Sequence, residues 1–381
     1  MRTFNFPVGY HQFHKTKIID FQLNRWYSLG YARFEDMEKA AAQIKTLDDW
    51  KDVMVALADE AIAEGRLLNG TYYYRAAEFF TERHDPDKLR LYRKFTDIYY
   101  NELFVDEPIQ RFKIPYEDGY LPGFRLAPEG DVFKGTLVVH GGFDSYIEEL
   151  FSVGCHFANQ GYDVVMFEGP GQGGALREYD LPLTYEWEKP TTAVLDYFDL
   201  NDVTLIGFSM GGWMCFRAAA YEPRITRVIA SSIAYDYMLI PPKMVADFAR
   251  WLFKHPRLLQ SLTEWKIKMM PQEKWGIDNL MFIMMTDNVL EATYGLLAFN
   301  EENLKSELVQ QDVLILTGEE DHFIPMKLHH LQVAALTNAR SLTPIVYSEA
   351  TQAHNHCQVG NLGLAVKDMH EWIMEKTAVP V

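Results

Sequence analysis

The sequence predicts an α/β fold, with a mostly parallel sheet covered by helices on both faces, a helical region before it and a helical insertion within it. Three observations carry this expectation. Apolar runs rich in Val, Ile and Leu recur at 135–142, 162–174, 203–209, 227–232, 312–321 and 342–350, each ending in a polar or glycine-rich turn. Such continuous runs suit strands buried on both faces, and helical patterns separate them. The alternation is missing before residue 109 and breaks again between 233 and 308.

The first 108 residues lack strand patterns. "FEDMEKAAAQIKTLDDWKDVMVALADEAIAEG" (34–65) spaces its apolar residues helically and ends in glycine. "GTYYYRAAEFFTERHDPDKLRLYRKFTDIYYNELF" (70–104) reads as two helices with a turn near Asp85-Pro86. The reading divides the chain into a helical N-terminal domain, 1–108, and a catalytic domain, 109–381, with a lid at 233–308. An antiparallel hairpin is expected at 109–130, turning at Asp118-Gly119. "YIEELFSVGCHFANQG" (146–161) and "MGGWMCFRAAAYEP" (210–223) read as helices between strands, and a last helix is expected at 361–376. The insertion carries large apolar residues, among them Trp251, Phe253, Trp265, Trp275 and Phe282. With the N-terminal helices it should fold over the carboxyl ends of the strands and enclose a pocket there.

Composition narrows the function. The 381 residues include 53 acidic and 36 basic ones, a net charge of −17, which repels phosphate backbones and excludes nucleic acid as a partner. Cys155, Cys215 and Cys357 are scattered without a CxxC pair, which argues against a disulfide framework. No apolar leader or membrane-length run stands out, so the expectation is a cytoplasmic protein with no membrane partner. "FEGPGQGG" (167–174) lacks the P-loop lysine and the G-x-G-x-x-G spacing, so it reads as a tight loop. His329-His330 falls in a helix without a carboxylate at useful spacing. Neither a metal nor a cofactor is expected.

The chemistry concentrates at "VTLIGFSMGGWMCF" (203–216). Gly207-Phe208-Ser209-Met210-Gly211 fits the G-x-S-x-G elbow, placed between a strand and a helix as that motif requires. The sharp turn holds a hydroxyl clear of the backbone at a helix N-terminus, where N–H groups favour developing negative charge. Ser209 is therefore the candidate nucleophile. A hydroxyl needs a base, and the base an orienting acid, which follow here in the order acid, then histidine. Asp321, after the strand 312–318, is the candidate acid, with Glu320 in reserve. "EATQAHNHCQVGN" offers His356 as base, with His354 as the alternative. Cys357 reads as a small buried residue. The oxyanion donors are assigned to the backbone N–H of Met210 and that of Phe143 in "HGGFDSY", with Gly142 as the alternative to Phe143. His140 is expected to pin that loop, and Asp144 to cap the helix that follows it.

With these residues placed, the chain resembles the α/β-hydrolase superfamily. It is most similar in character to the branch with an N-terminal helical domain: dihydroxypseudooxynicotine hydrolases, fungal Ayg1-like polyketide-shortening hydrolases and FrsA-type esterases. "IPYEDGYLPGFRLAP", "HGGFDSYIEEL", "FEGPGQGG", "GFSMGG", "GEEDHFIP" and "HNHCQVGN" carry the likeness across about 110–361. The resemblance implies an α/β-hydrolase fold and, from the His-Cys-Gln run, His356 as the base. It also implies cleavage of carbon–carbon bonds next to ketones, or of esters, and a homodimer through the helical region. Relatives often carry Asp-Gly-Pro-Gly-Gln-Gly-Glu where this chain has Glu168 and Gly174. The aromatic helices and insertion point to an apolar, ring-sized small-molecule substrate. The competing class is a silent hydrolase fold used for binding, which would be expected to lack one of the three catalytic candidates.

Overall fold

A computed structural model describes residues 1–130, 132–253, 255, 257–259, 261, 262 and 271–377. Among these residues eight strands form one sheet: β1 (Ile109–Tyr116), β2 (Gly119–Leu126), β3 (Thr136–His140), β4 (Asp163–Phe167), β5 (Val203–Phe208), β6 (Ile225–Ser231), β7 (Asp312–Gly318) and β8 (Ser341–Tyr347). Their spatial order is β1-β2-β4-β3-β5-β6-β7-β8. Pairing is antiparallel along β1-β2-β4 and parallel from β4 onward. The five apolar strands β3 to β7 are buried almost throughout, as strands covered on both faces must be. Pro344 sits in β8, which among the described residues pairs only with β7, and an edge strand tolerates the missing N–H.

The hairpin turns one residue earlier than the sequence suggests. Tyr116 pairs with Gly119, so Glu117 and Asp118 make the loop, and Glu117 takes the positive φ (47°) that a tight hairpin demands. The run 34–65 also divides. Helices α2 (Phe34–Gln43) and α3 (Leu47–Ala63) are separated where Asp49 accepts the Thr46 N–H (2.9 Å) and starts a new helix. Before them lies α1 (Lys17–Ser28), and after them α4 (Leu67–Phe79) and α5 (Asp87–Ile98).

The helical region and one face of the sheet share a continuous apolar core. Tyr31 and Tyr72 stack at 3.5 Å, Tyr72 meets Phe95 and Tyr99, and Tyr99 meets Phe151, which packs on Phe124 of β2. The chain leaves β6 at the carboxyl end of the sheet. It returns through helices Lys243–Phe253, Pro271–Ile283, Val289–Leu297 and Glu301–Leu304 before β7 begins. Trp275 ties this insertion to α4: its indole N–H donates to the Phe79 carbonyl (3.0 Å), and its ring meets Phe79 and Phe80 at about 5 Å. Among the described residues no helix is long and apolar enough to cross a membrane.

Candidate active site

Ser209 stands between β5 and the helix Met210–Tyr221 with φ 60° and ψ −125°, a strained conformation for a residue bearing a side chain. Gly207 makes room for the turn, because a Cβ there would run into the Gly211 carbonyl and the Cys215 sulfur. The hydroxyl is thereby held out from the sheet's carboxyl edge.

Three side chains from three strand ends converge at this point. His356 Nε2 lies 2.8 Å from Ser209 Oγ, and its Nδ1 lies 2.6 Å from Asp321 Oδ2. Asp321 Oδ1 accepts the N–H groups of Phe323 and Ile324, both at 2.9 Å, which fixes the carboxylate behind the imidazole. Burial alone would raise the Asp321 carboxyl, but His356 and these N–H groups outweigh it and hold it below its ordinary value. Burial likewise opposes charge on His356, yet Asp321 beside it wins and raises the imidazole. The histidine loop is anchored on β6. Ser231 Oγ donates to Gln358 Oε1 (2.8 Å), and the Cys357 N–H donates to Ser232 Oγ (3.0 Å).

The alternatives lie elsewhere. His354 packs its ring on Tyr10, and its Nε2 is 4.0 Å from an exposed Glu320. His322 packs between Phe21 and Phe323, and burial pushes its imidazole down to about 4. Cys357 differs from expectation: it is half-buried, lines the cavity beside His356 and has a positive φ of 50°.

The loop after β3 lies against the elbow. A Cβ on Gly142 would sit 2.7 Å from the Met210 nitrogen, so only glycine permits this approach. The N–H groups of Gly142, Phe143 and Met210 have no partner among the hydrogen bonds of the described residues. His140 is wholly buried and held low, to about 4, by that burial. Its Nδ1 faces the Gly141 carbonyl (2.9 Å) and its Nε2 accepts the Trp187 indole N–H (3.2 Å), a pairing that assigns the Nδ1–H tautomer. Sequence reasoning missed Gln172, whose Nε2 donates to both the Gly141 and Gly142 carbonyls at 2.9 Å, while its Oε1 accepts the Gly169 N–H (2.9 Å). The tight loop 167–174 therefore braces the loop 141–143. Asp144 caps no helix. Its φ is 45°, its carboxylate pairs with Arg177 (2.7 Å), and the next helical turn begins only at Ile147.

A cavity of about 340 Å³ opens above Ser209 and His356. Helix α1, which the sequence did not single out, forms one wall: Phe21 meets Phe323 at 5.3 Å and His356 at 6.0 Å. Tyr237 and Trp275 of the insertion form another. Among the described residues, the other large insertion aromatics singled out in the sequence do not line it. Trp251 is 46% exposed and stacks on Phe248, Phe253 packs on Tyr294, and the Phe282 ring covers Lys88 and Arg177. Trp265 lies outside the described residues. Among the described residues no cluster of three or more His, Cys, Asp or Glu side chains could hold a metal ion.

The comparisons agree with this architecture. The structure of a 2,6-dihydroxy-pseudo-oxynicotine hydrolase superposes with a TM-score of 0.67 at 21% identity, covering 92% of this chain and 94% of that one. That of AbyA5 gives 0.66 at 16% identity, covering 90% of each. Among curated relatives, the hydrolase acrC of Aspergillus aculeatus is 30% identical over 63% of this chain. The hydrolyase poxO of Penicillium oxalicum is 29% identical over 73% of this chain and 76% of its own length. The match spans 64% of the length of acrC and 48% of the hydrolase LUC6 of a Fusarium species. The model named "Alpha/beta hydrolase family" matches residues 136–356, more than half of the chain and the whole stretch from β3 to His356. The chain belongs to the alpha/beta hydrolase family.

Proposed function

We propose that this chain is a serine hydrolase of a small apolar carbonyl compound, with Ser209 as nucleophile, His356 as base and Asp321 as its orienting acid. The observation that carries the reading is the run of short contacts from Ser209 through His356 to Asp321 at the floor of an apolar cavity. His356 Nε2 takes the Ser209 proton as Oγ adds to the substrate carbonyl. The oxyanion is received by the N–H groups of Met210 and Phe143. As the tetrahedral adduct collapses, the proton passes from His356 to the leaving group. Water, activated by the same histidine, then releases the acid and restores Ser209.

Two leaving groups suit this sequence of steps: an alkoxide or phenoxide from an ester, and a carbon stabilised as an enolate, from a β-diketone or acyl-phenol. Carbon–carbon cleavage is included because the motifs "HGGFDSYIEEL", "GFSMGG" and "HNHCQVGN" resemble those of the branch for which that chemistry is expected. The test is labelling with a fluorophosphonate probe followed by turnover of an aryl ester and an aryl β-diketone. Ser209 should be the modified residue, and Ser209→Ala should lose about three or more orders of magnitude of turnover while staying folded. Modification of another serine, with Ser209 left free, would sink the assignment.

A further inference from the structure

We propose that Arg25 docks an anionic oxygen of the substrate, so that the natural ligand is an apolar carbonyl compound bearing a carboxylate or an enolate-type acid. The proposal rests on the hydrolase reading of the same cavity and adds the chemical class of what fills it.

Among the described residues that line the cavity, Arg25 is the only lysine or arginine and its partner Glu149 the only carboxylate; most of the rest are apolar. It stands one helical turn beyond Phe21 on α1, about 6 Å further along the axis. Phe21 in turn lies against His356. The guanidinium is held by its surroundings. It lies 5.0 Å from the Trp26 ring and 5.3 Å from the Phe79 ring, and it is hydrogen-bonded to Glu149 and to Gln22 Oε1 (3.3 Å). An arginine offers five N–H donors in a planar fork, and these two contacts leave donors free for a planar anion.

Charge balance identifies what is missing. Glu149 is shared between Arg25 and the fully buried Arg75. Arg75 continues to Glu78, Glu78 pairs with Arg177 (2.8 Å) and Lys88 (3.0 Å), and Arg177 pairs with Asp144 (2.7 Å). This network contains four cations, Arg25, Arg75, Lys88 and Arg177, against three anions, Glu78, Asp144 and Glu149. The neighbouring Glu148 and Glu168 are engaged elsewhere. Glu148 accepts from Tyr100, and Glu168 accepts the N–H groups of Gly174 and Ile147. Burial raises both carboxyls; Glu149 adds to the rise at Glu148 and Glu148 to that at Glu168, while the nearby Arg177 only partly offsets the rise at Glu168. A buried network is costly when a charge lacks its counterpart. Arg25 is the cation of this set that reaches the cavity, so an anion bound there would complete it.

The experiment compares p-nitrophenyl monoesters of straight-chain dicarboxylic acids, four to ten carbons long, with the neutral monocarboxylic esters of equal length. In the wild type the ratio of kcat/KM, acid-tailed over neutral, should exceed about 10 at one chain length. That ratio should fall at least about 10-fold in Arg25→Met, mainly through KM, and return in Arg25→Lys. Arg25→Met leaves three cations against three anions, so its thermal midpoint should stay within a few degrees of the wild type. No preference at any length, or a ratio that Arg25→Met does not move, overturns the proposal. A separate readout uses Ser209→Ala with calorimetric titration of monomethyl sebacate against dimethyl sebacate. If the wild type neither turns over any ester nor labels at Ser209, the hydrolase reading fails. Tighter binding of the monoester, abolished by adding Arg25→Met, would still support Arg25 as the anion site, and equal binding would refute it.

Discussion

Gln172→Met isolates the brace behind the oxyanion loop. The substitution keeps the side-chain volume, and Gln172 is only 1% exposed, so packing changes little. It removes both donors to the Gly141 and Gly142 carbonyls and the acceptor for the Gly169 N–H. Three buried backbone groups each lose a hydrogen bond, and the Gly141 carbonyl keeps the one from His140, so the stability loss is about 2–3 kcal/mol. The catalytic effect comes from peptide geometry. In a trans peptide the C=O and the following N–H point in opposite directions, so holding the Gly142 carbonyl against Gln172 turns the Phe143 N–H away from it. Releasing that carbonyl lets the peptide plane rotate and misaligns the donor. Loss of one oxyanion donor costs about 10²–10³ in kcat, and because His140 still holds the Gly141 carbonyl, the expected loss here is about 10–100-fold. The assay is aryl-ester turnover with an arylboronic acid as tetrahedral mimic. The value of kcat should fall with KM nearly constant, and the boronate should weaken in parallel. A folded Gln172→Met enzyme with wild-type kcat and boronate affinity would refute the reasoning.

Four further outcomes follow from the same geometry. His356→Ala should match Ser209→Ala in turnover, with the double variant no worse, whereas His354→Ala should keep most activity; the reverse pattern in steady-state kinetics would reassign the base. The base works as neutral imidazole, and Asp321 raises its pKa, so the rising limb of the kcat/KM–pH profile should lie above the ordinary histidine value of about 6.5. In Asp321→Asn the raising charge is gone and burial remains, so whatever activity survives should show that limb at lower pH; a limb that stays put would remove Asp321 from the relay. Trp275→Ala opens the wall shared by the insertion and α4, and should lower turnover of a bulky aryl ester relative to a small acetyl ester several-fold; an unchanged ratio would show that this wall does not select substrate.

Much of this architecture was legible because it is written locally. Strands β3 to β7 are buried on both faces and need near-continuous apolar runs, so the parallel sheet could be read from 135–142, 162–174 and 203–209 onward. The Ser209 elbow is equally local, since a strand, a sharp turn and a helix must follow each other within a dozen residues. Acid and base candidates could be narrowed to strand ends for the same reason. Sequence favoured His356 over its near neighbour His354, and tertiary contacts set the two apart: Ser231 of β6 and Ser232 just after it seat Gln358 and Cys357, more than 120 residues away, next to the His356 that meets Ser209. Helix α1 was hidden because its buried positions include Asp20, Gln22, Asn24 and Ser28, which blur an apolar stripe. Its place over His356, and the charge network joining Arg25 to Glu149, Arg75 and Arg177, exist only once distant segments are packed together. Local periodicity records which face an element buries. It carries no signal for which charged residue from another element will meet it, because that pairing is set by the packing of the whole chain.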